Sequence, residues 1–193
     1  MVYALLLAGG KSSRMGENKS TLSFDGKTLL EHSLALLKLS GADHVLISGE
    51  VEGHQTIPDL LPECGPLGGL HAAVHTIDDK VGLDGSSLLV IPVDMPMLDS
   101  LTLTRLFVSI GAADSCFYEG EVFPCVFILS PQLRDYLDGL FSESTALGGD
   151  RSMKALLRAF SARPIDTLGL PENVFFNLNS PEDWSQFKKM QWE

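Results

Sequence analysis

Residues 7–19 read LAGGKSSRMGENK, a segment in which a glycine pair directly follows a short apolar run. The run from Val2 to Ala8 carries no charge and predicts a buried parallel strand. Ligands of open α/β sheets lie at the carboxyl ends of such strands. The glycines let backbone N–H groups approach phosphate oxygens, and Arg14 and Lys19 add positive charge. The segment predicts a loop that wraps a triphosphate, with an ordinary strand-to-helix turn as the alternative.

Two better-known phosphate loops do not fit these residues. The Walker A pattern needs a glycine five residues before a Gly-Lys-Ser/Thr step, and Leu5 stands there before Gly10. The dinucleotide pattern G-x-G-x-x-G also fails, because the glycines are Gly9, Gly10 and Gly16. The segment therefore indicates a different nucleotide-binding fold.

Composition indicates a single cytoplasmic domain. A chain of 193 residues is long enough to bury one core, so we expect one domain spanning residues 1–193. It has no apolar run long enough to span a membrane, and its N-terminus lacks the basic start of a signal peptide. Three cysteines without metal-ligand spacing favour reduced thiols. A net charge of −11 argues against nucleic acid as a partner, although a nucleotide needs only a local positive site.

Apolar periodicity alternates between strand and helix, which predicts a Rossmann-like α/β fold with a mostly parallel, twisted sheet flanked by helices. Besides the first strand, the predicted strands are residues 44–47, 87–93 and 122–129, and the predicted helices are residues 28–39, 65–77, 101–110, 151–160 and 181–190. Pro124 interrupts the strand at 122–129, so we expect that strand to be bulged or at a sheet edge.

Asp94 is the strongest candidate for a metal ligand. It ends the apolar strand that precedes it, and Pro92 and Pro96 stiffen the backbone around it. Magnesium is typically held by one or two carboxylates, with substrate phosphates and waters completing the octahedron. The alternative is that Asp94 caps the next helix, but Asp99 or Ser100 is better placed for that cap.

A second polar segment lies near the end of the chain. Asn177 and Asn179 alternate along an extended stretch, so both side chains should lie on one face and contact a metal or a substrate phosphate. The alternative is that the stretch caps the last helix, with Pro181 in its first turn. Among the histidines, only His71 and His75 have ligand-like spacing, and we interpret that pair as part of a helix surface.

Four ordered motifs carry a resemblance to a known family. The residues of LAGGxSxRMGxxK at 7–19, GPLGG at 65–69, PVDMP at 92–96 and NLNSPED at 177–183 are similar to the motifs of the MobA-type nucleotidyltransferases, which guanylylate molybdenum cofactor. The resemblance runs through nearly the whole chain. It implies the nucleotidyltransferase fold and transfer of GMP from GTP to molybdopterin, with release of pyrophosphate.

The resemblance also implies residue roles. Catalysis would rest on Arg14, Lys19 and Asp94, with Asp94 as the ligand of Mg²⁺ or of Mn²⁺ in its place. Asp59 resembles a nucleotide-contacting aspartate, and a carboxylate suits the two donors of guanine, although a turn-forming aspartate is the alternative. The residues implied for nucleotide binding are Leu7, Ala8, Gly9, Gly10, Lys19, Asp59, Gly65 and Asp94.

The implied partners are GTP and molybdopterin, with transient contacts to cofactor-synthesis proteins and recipient molybdoenzymes, and without nucleic acid or membrane. Three alternatives stay open: a cytidylyltransferase of the same cofactor, a sugar-1-phosphate nucleotidyltransferase, and a non-catalytic nucleotide-binding adaptor. Gly10 favours the guanylyl enzyme, because the related cytidylyl enzymes resemble L-A-A-G at this point. A phosphate nucleophile is already largely a dianion at neutral pH, so no catalytic base is expected.

Overall fold

A computed structural model describes residues 1–9, 19–61, 64–83, 85–142 and 150–190. The strands are β1 Val2–Leu7, β2 Ser23–Phe24, β3 Lys27–Thr28, β4 His44–Ser48, β5 Ser87–Pro92, β6 Ser115–Tyr118, β7 Cys125–Ile128 and β8 Arg163–Ile165. The helices are α1 Leu29–Leu39, α2 Gly65–Val81, α3 Ser100–Ser109, α4 Pro131–Phe141, α5 Met153–Ala159 and α6 Pro181–Met190, and a 3₁₀ turn covers Lys19–Thr21.

The main sheet has six strands in the order β4-β1-β5-β7-β6-β8, and β2 and β3 form a separate hairpin. Strands β4, β1 and β5 are parallel neighbours, and β6 is parallel to β8. Among the described strands of this sheet, the antiparallel pairs are those of β7 with β5 and with β6. The prediction of a mostly parallel α/β sheet is confirmed.

Helices cover both faces of the sheet, as the alternation of side chains along β1 requires. Ala4 and Leu6 pack into the core beneath α1, α3 and α6, whereas Leu5 and Leu7 pack into the core beneath α2, α4 and α5. A strand buried on both faces explains why the sequence of β1 is apolar at every position rather than at alternate ones. None of the helices in the described ranges is both long and apolar enough to cross a membrane.

The predicted position of the strand at 122–129 is wrong. Strand β7 begins at Cys125 and lies inside the sheet, between β5 and β6, not at an edge. Pro124 precedes the strand, so its lack of a backbone N–H does not interrupt the hydrogen bonds between strands. The periodicity analysis also missed α4, which starts at Pro131 after the capping residue Ser130.

Candidate active site

A cleft of about 240 Å³ lies at the carboxyl ends of β1 and β5. Its lining residues are Leu7, Ala8, Gly9, Lys19, Pro66, Pro92, Val93, Asp94, Phe123 and Asn177. The fold therefore brings together side chains and backbone from the ends of two neighbouring strands, the start of α2 and the segment before α6. This is the position at which open α/β sheets bind ligands.

Asp94 and Lys19 form the charged centre of the cleft. The Lys19 ammonium donates to Asp94 Oδ2 at 2.7 Å and to Asn179 Oδ1 at 3.2 Å. Only 17% of the Lys19 side chain and 19% of the Asp94 side chain are exposed. Asp94 Oδ1 is buried and accepts no hydrogen bond from the described residues. Buried oxygens without a partner are rare because they are costly, so this atom marks a place for a cation or a donor.

The backbone holds Asp94 from two sides. The Val93 amide donates to the Leu7 carbonyl at 3.0 Å, which extends the pairing of β1 and β5 past the strand ends. The Leu178 amide donates to the Asp94 carbonyl at 2.8 Å. Asp99, five residues later, caps α3 by accepting from the Thr102 amide at 2.7 Å. Asp99, and not Asp94, therefore caps the next helix, α3.

The segment before α6 makes the helix cap that was one of the two interpretations of its sequence. The Asp183 carboxylate accepts from the Asn179 and Ser180 amides at 2.8 Å each, and the Ser180 hydroxyl accepts from the Asp183 amide at 3.2 Å. These bonds, led by the one from the Asn179 amide, lower the pKa of Asp183. The segment thus caps α6, while the Asn179 side chain contacts Lys19 and Asn177 lines the cleft.

The end of β1 packs directly against the end of β4. A Cβ added to Gly49, which has φ of +105°, would lie 2.4 Å from both N and Cα of Gly9. The Ala8 amide donates to the Ser48 carbonyl at 2.9 Å across the same contact. Only glycine at position 49 permits this approach. Sequence reasoning missed Gly49, and its position directly after an apolar strand is the signal that could have revealed it.

Asp59 and Gly65 lie at the same edge of the sheet but do not line the cleft around Asp94. The Ser48 hydroxyl donates to Asp59 Oδ1 at 3.3 Å, so the exposed Asp59 stands by the end of β4. A Cβ added to Gly68 would lie 3.7 Å from Asp59 Oδ2, which places that carboxylate beside the first turn of α2. Gly65 begins α2 with φ of +57°, which favours glycine there. Arg14 and Gly10 lie outside the described residues.

Residues 4–164 match the family model of the MobA-like NTP transferase domain. The chain therefore belongs to the MobA-like nucleotidyltransferase family. Within it, the chain is 34% identical over 183 residues to a molybdenum cofactor guanylyltransferase of Xanthomonas euvesicatoria pv. vesicatoria, covering 94% of this chain and 92% of that protein.

Solved structures agree on the fold. Molybdopterin-guanine dinucleotide biosynthesis protein A from Archaeoglobus fulgidus superimposes with a TM-score of 0.73 and 21% identity over 98% of each chain. Rv0371c from Mycobacterium tuberculosis H37Rv, solved as a complex with manganese, superimposes with a TM-score of 0.67 and 18% identity, covering 97% of this chain and 98% of that one. At such identities these structures support the fold alone.

Proposed function

We propose that this protein transfers GMP from GTP to the terminal phosphate of molybdopterin and so forms the guanine dinucleotide form of molybdenum cofactor. The names of curated relatives, led by the Xanthomonas guanylyltransferase, support this activity. The observation that carries it is the buried Asp94 Oδ1, which has no hydrogen-bond partner among the described residues and lies beside Lys19 at the end of β5, next to the strand that precedes the glycine pair.

The reaction is an in-line displacement at phosphorus. An oxygen of the molybdopterin phosphate forms a bond to the α-phosphorus of GTP, and the bond from that phosphorus to the bridging oxygen of the β-phosphate breaks. The electron pair of the broken bond leaves with pyrophosphate. The attacking phosphate has a second pKa of about 6 and needs no base at neutral pH. The protein must therefore orient two anions and stabilise negative charge on the leaving group.

Asp94 fits a divalent cation, which we assign as Mg²⁺ with Mn²⁺ as a substitute. Its unpartnered Oδ1 is a hard oxygen donor, and the neighbouring amide oxygen of Asn179 and the exposed Asn177 add oxygen atoms suited to a hard cation. A bound Mg²⁺ supplies positive charge that offsets the repulsion between the two anionic substrates. Lys19 holds Asp94 Oδ2 and orients the carboxylate toward the cleft.

Lys19, Arg14 and the backbone after β1 complete the phosphate site. The Lys19 ammonium lies within the cleft and can exchange its contact with Asn179 for a triphosphate oxygen. Gly9 and Gly10 supply amides without a Cβ that would keep phosphate away, and the Gly9–Gly49 contact fixes where the backbone leaves the sheet. Arg14, which lies outside the described residues, would add a second positive charge to this site.

Asp59 is our candidate for the residue that recognises the guanine base. Guanine presents two adjacent donors, N1–H and the N2 amino group, and a carboxylate can accept from both. Asp59 stands on the β4 side of the sheet edge, whereas Asp94 stands on the β5 side. A nucleotide lying across the end of β1 would place its base near Asp59 and Gly65 and its phosphates near Asp94.

The decisive experiment measures pyrophosphate release from GTP, ATP, CTP and UTP in the presence of molybdopterin. We expect release from GTP, and loss of the preference for GTP in Asp59→Asn, because unsatisfied polar groups at the base cost about 1–3 kcal/mol each. Glu52→Gln, at an exposed position in the loop after β4, is the matched control. Equal turnover of CTP and GTP would favour the cytidylyl alternative, and binding without release would favour the adaptor.

A further inference from the structure

His71 and His75 are not simply a helix surface, as the sequence suggested. His71 is buried, with 6% of its surface exposed, because α4 packs against α2. Helix α4 was not predicted, so the partner of the histidine pair could not be foreseen. That partner is Asp138 on α4.

Three side chains from the two helices meet at one point. His71 Nε2 and His75 Nε2 each lie 2.7 Å from the same oxygen, Asp138 Oδ1. All three candidate donor atoms lie within 4.8 Å of one another. The histidines are four residues apart on α2, which puts both imidazoles on one face of the helix. Among the residues that the structure describes, this is the only set of three or more His, Cys, Asp or Glu side chains so arranged.

From this geometry we infer a binding site for a divalent transition-metal ion of the Zn²⁺ class, held by His71, His75 and Asp138 between α2 and α4. Two imidazoles and a carboxylate form a three-ligand set that Zn²⁺ accepts, with water as the fourth ligand. Imidazole suits zinc, nickel and copper, whereas Mg²⁺ prefers oxygen donors. The side chain of Asp138 is 40% exposed, which leaves access for the ion and its water.

The spacing and the charge of the three residues suit such an ion. Donors that bind zinc at about 2.0 to 2.1 Å lie about 3.3 Å apart in a tetrahedron, so the present contacts need only a small widening. Arg134 is the neighbouring cation, with Nε 3.6 Å from Asp138 Oδ2, but its guanidinium also pairs with Asp78. With neutral histidines, these two carboxylates and one guanidinium leave a net charge of −1, which favours a dication.

This metal site lies apart from the proposed nucleotide site. Pro66, at the start of α2, lines the cleft, and the two histidines lie five and nine residues further along the helix. At 1.5 Å per residue these separations are about 7.5 and 13.5 Å along the helix axis. An ion here would cross-link α2 to α4 and so fix the helix whose first turn borders the cleft. Its role is structural, and it does not depend on the proposed reaction.

The test is titration of metal-free protein with Zn²⁺ in the presence of millimolar Mg²⁺, followed by calorimetry and by thermal melting. We use the Cys64→Ser and Asp94→Asn double variant as background, so that neither the partly exposed Cys64 thiol nor the cleft carboxylate contributes to zinc binding; Cys116 and Cys125 are buried. We expect one equivalent of Zn²⁺ to bind and, at about 100 times its Kd, to raise the melting temperature by about 5 °C or more.

In the same background, His75→Gln and Asp138→Asn should each lose this equivalent and the shift, whereas the exposed His54→Gln should keep both. Circular dichroism confirms that each variant is folded before titration. Co²⁺ gives a second readout, since tetrahedral coordination produces visible absorption bands that the two ligand variants should lack. Zinc binding that is absent, unchanged in His75→Gln, or equally lost in His54→Gln would overturn the site.

Discussion

The cleft and the junction of α2 with α4 each contain an aspartate that contacts residues from distant parts of the chain. The two aspartates differ in how many partners their carboxylate oxygens have. Asp94 contacts Lys19, 75 residues away, and its buried Oδ1 has no hydrogen-bond partner in the described part of the chain. Asp138 contacts His71, 67 residues away, and has Oδ1 bound by two imidazoles and Oδ2 near Arg134. The open oxygen of Asp94 agrees with the substrate site that we propose there, whereas the occupied oxygens of Asp138 agree with the proposed structural site.

The chemistry of the neighbouring donors sharpens this difference. Around Asp94 the described donors are carboxylate and amide oxygens, which suit a hard cation that substrates can share. Around Asp138 the donors are imidazole nitrogens, which favour a borderline-soft cation with a structural role. The two sites should therefore respond differently to the same changes of charge and of metal.

The largest expected effect is that of Asp94→Asn on turnover. The variant keeps the shape of the side chain but removes the charge that offsets the metal, so pyrophosphate release should fall on the order of 1000-fold. Raising Mg²⁺ or adding Mn²⁺ should restore part of the rate by mass action. Thermal stability should change little, since asparagine can still accept from Lys19. The measurement is metal-titrated pyrophosphate release together with a melt on the same preparation.

Asp99→Ala is the matched control on the same stretch of chain. Losing the α3 cap should cost about 1 kcal/mol and lower the melting temperature by about 2–4 °C, with turnover retained. If Asp94→Asn instead lowered stability while leaving metal-dependent turnover intact, the cleft would be a structural site like the other.

The next effect is that of Lys19→Met, which removes the cation now paired with Asp94. Turnover should fall about 100-fold, because one charge at the triphosphate is lost. The vacated Asp94 Oδ2 should make Mg²⁺ raise the melting temperature more in this variant than in the unmodified protein. Lys27→Met, at an exposed position in β3, is the control. Unchanged turnover in Lys19→Met would remove the lysine from the proposed machinery.

The sequence allowed prediction of the cleft more fully than of the junction, and for a physical reason. Residues at the ends of parallel strands must share one edge of the sheet, so the strand pattern places Gly9 and Asp94 at the same edge, and the structure shows that their strands are neighbours. The contact of Asp138 with the histidines depends on how two amphipathic helices pack, which no local pattern specifies. The position of Gly49 directly after an apolar strand is a local signal, but its close approach to Gly9 arises only when β4 pairs with β1.

Replacing a glycine by alanine in each region should have a smaller effect, which differs in sign between α2 and α4. A Cβ on Gly69, in the α2 turn facing Ser48, would lie 2.4 Å from the Ser48 hydroxyl and 2.9 Å from Leu7 Cδ2. A Cβ on Gly139, beside Asp138 in α4, would meet no heavy atom within 4 Å. Urea unfolding should therefore show Gly69→Ala destabilised by about 1–3 kcal/mol and Gly139→Ala stabilised by about 0.5–1 kcal/mol. The same sign for both variants would contradict this picture of packing.

The smallest expected effect is the acid dependence of the junction without metal. Partial burial of Asp138 opposes its ionisation, but hydrogen bonds from His75 and His71 hold its pKa below the usual value of an aspartate. The ionised carboxylate therefore stabilises the fold above the unfolded pKa of about 3.9, and this contribution is lost as the pH falls through the lower folded pKa. In EDTA, Asp138→Asn should be less stable than the unmodified protein at neutral pH by under about 1 kcal/mol, since the side chain is 40% exposed. Urea unfolding measured from pH 7 downward should show that the difference in unfolding free energy between the two proteins narrows below about pH 4, where the carboxylate takes up its proton. If this difference in unfolding free energy stayed constant to pH 2, the asparagine would destabilise the fold through its shape alone. The charge of Asp138 would then not hold the two helices together.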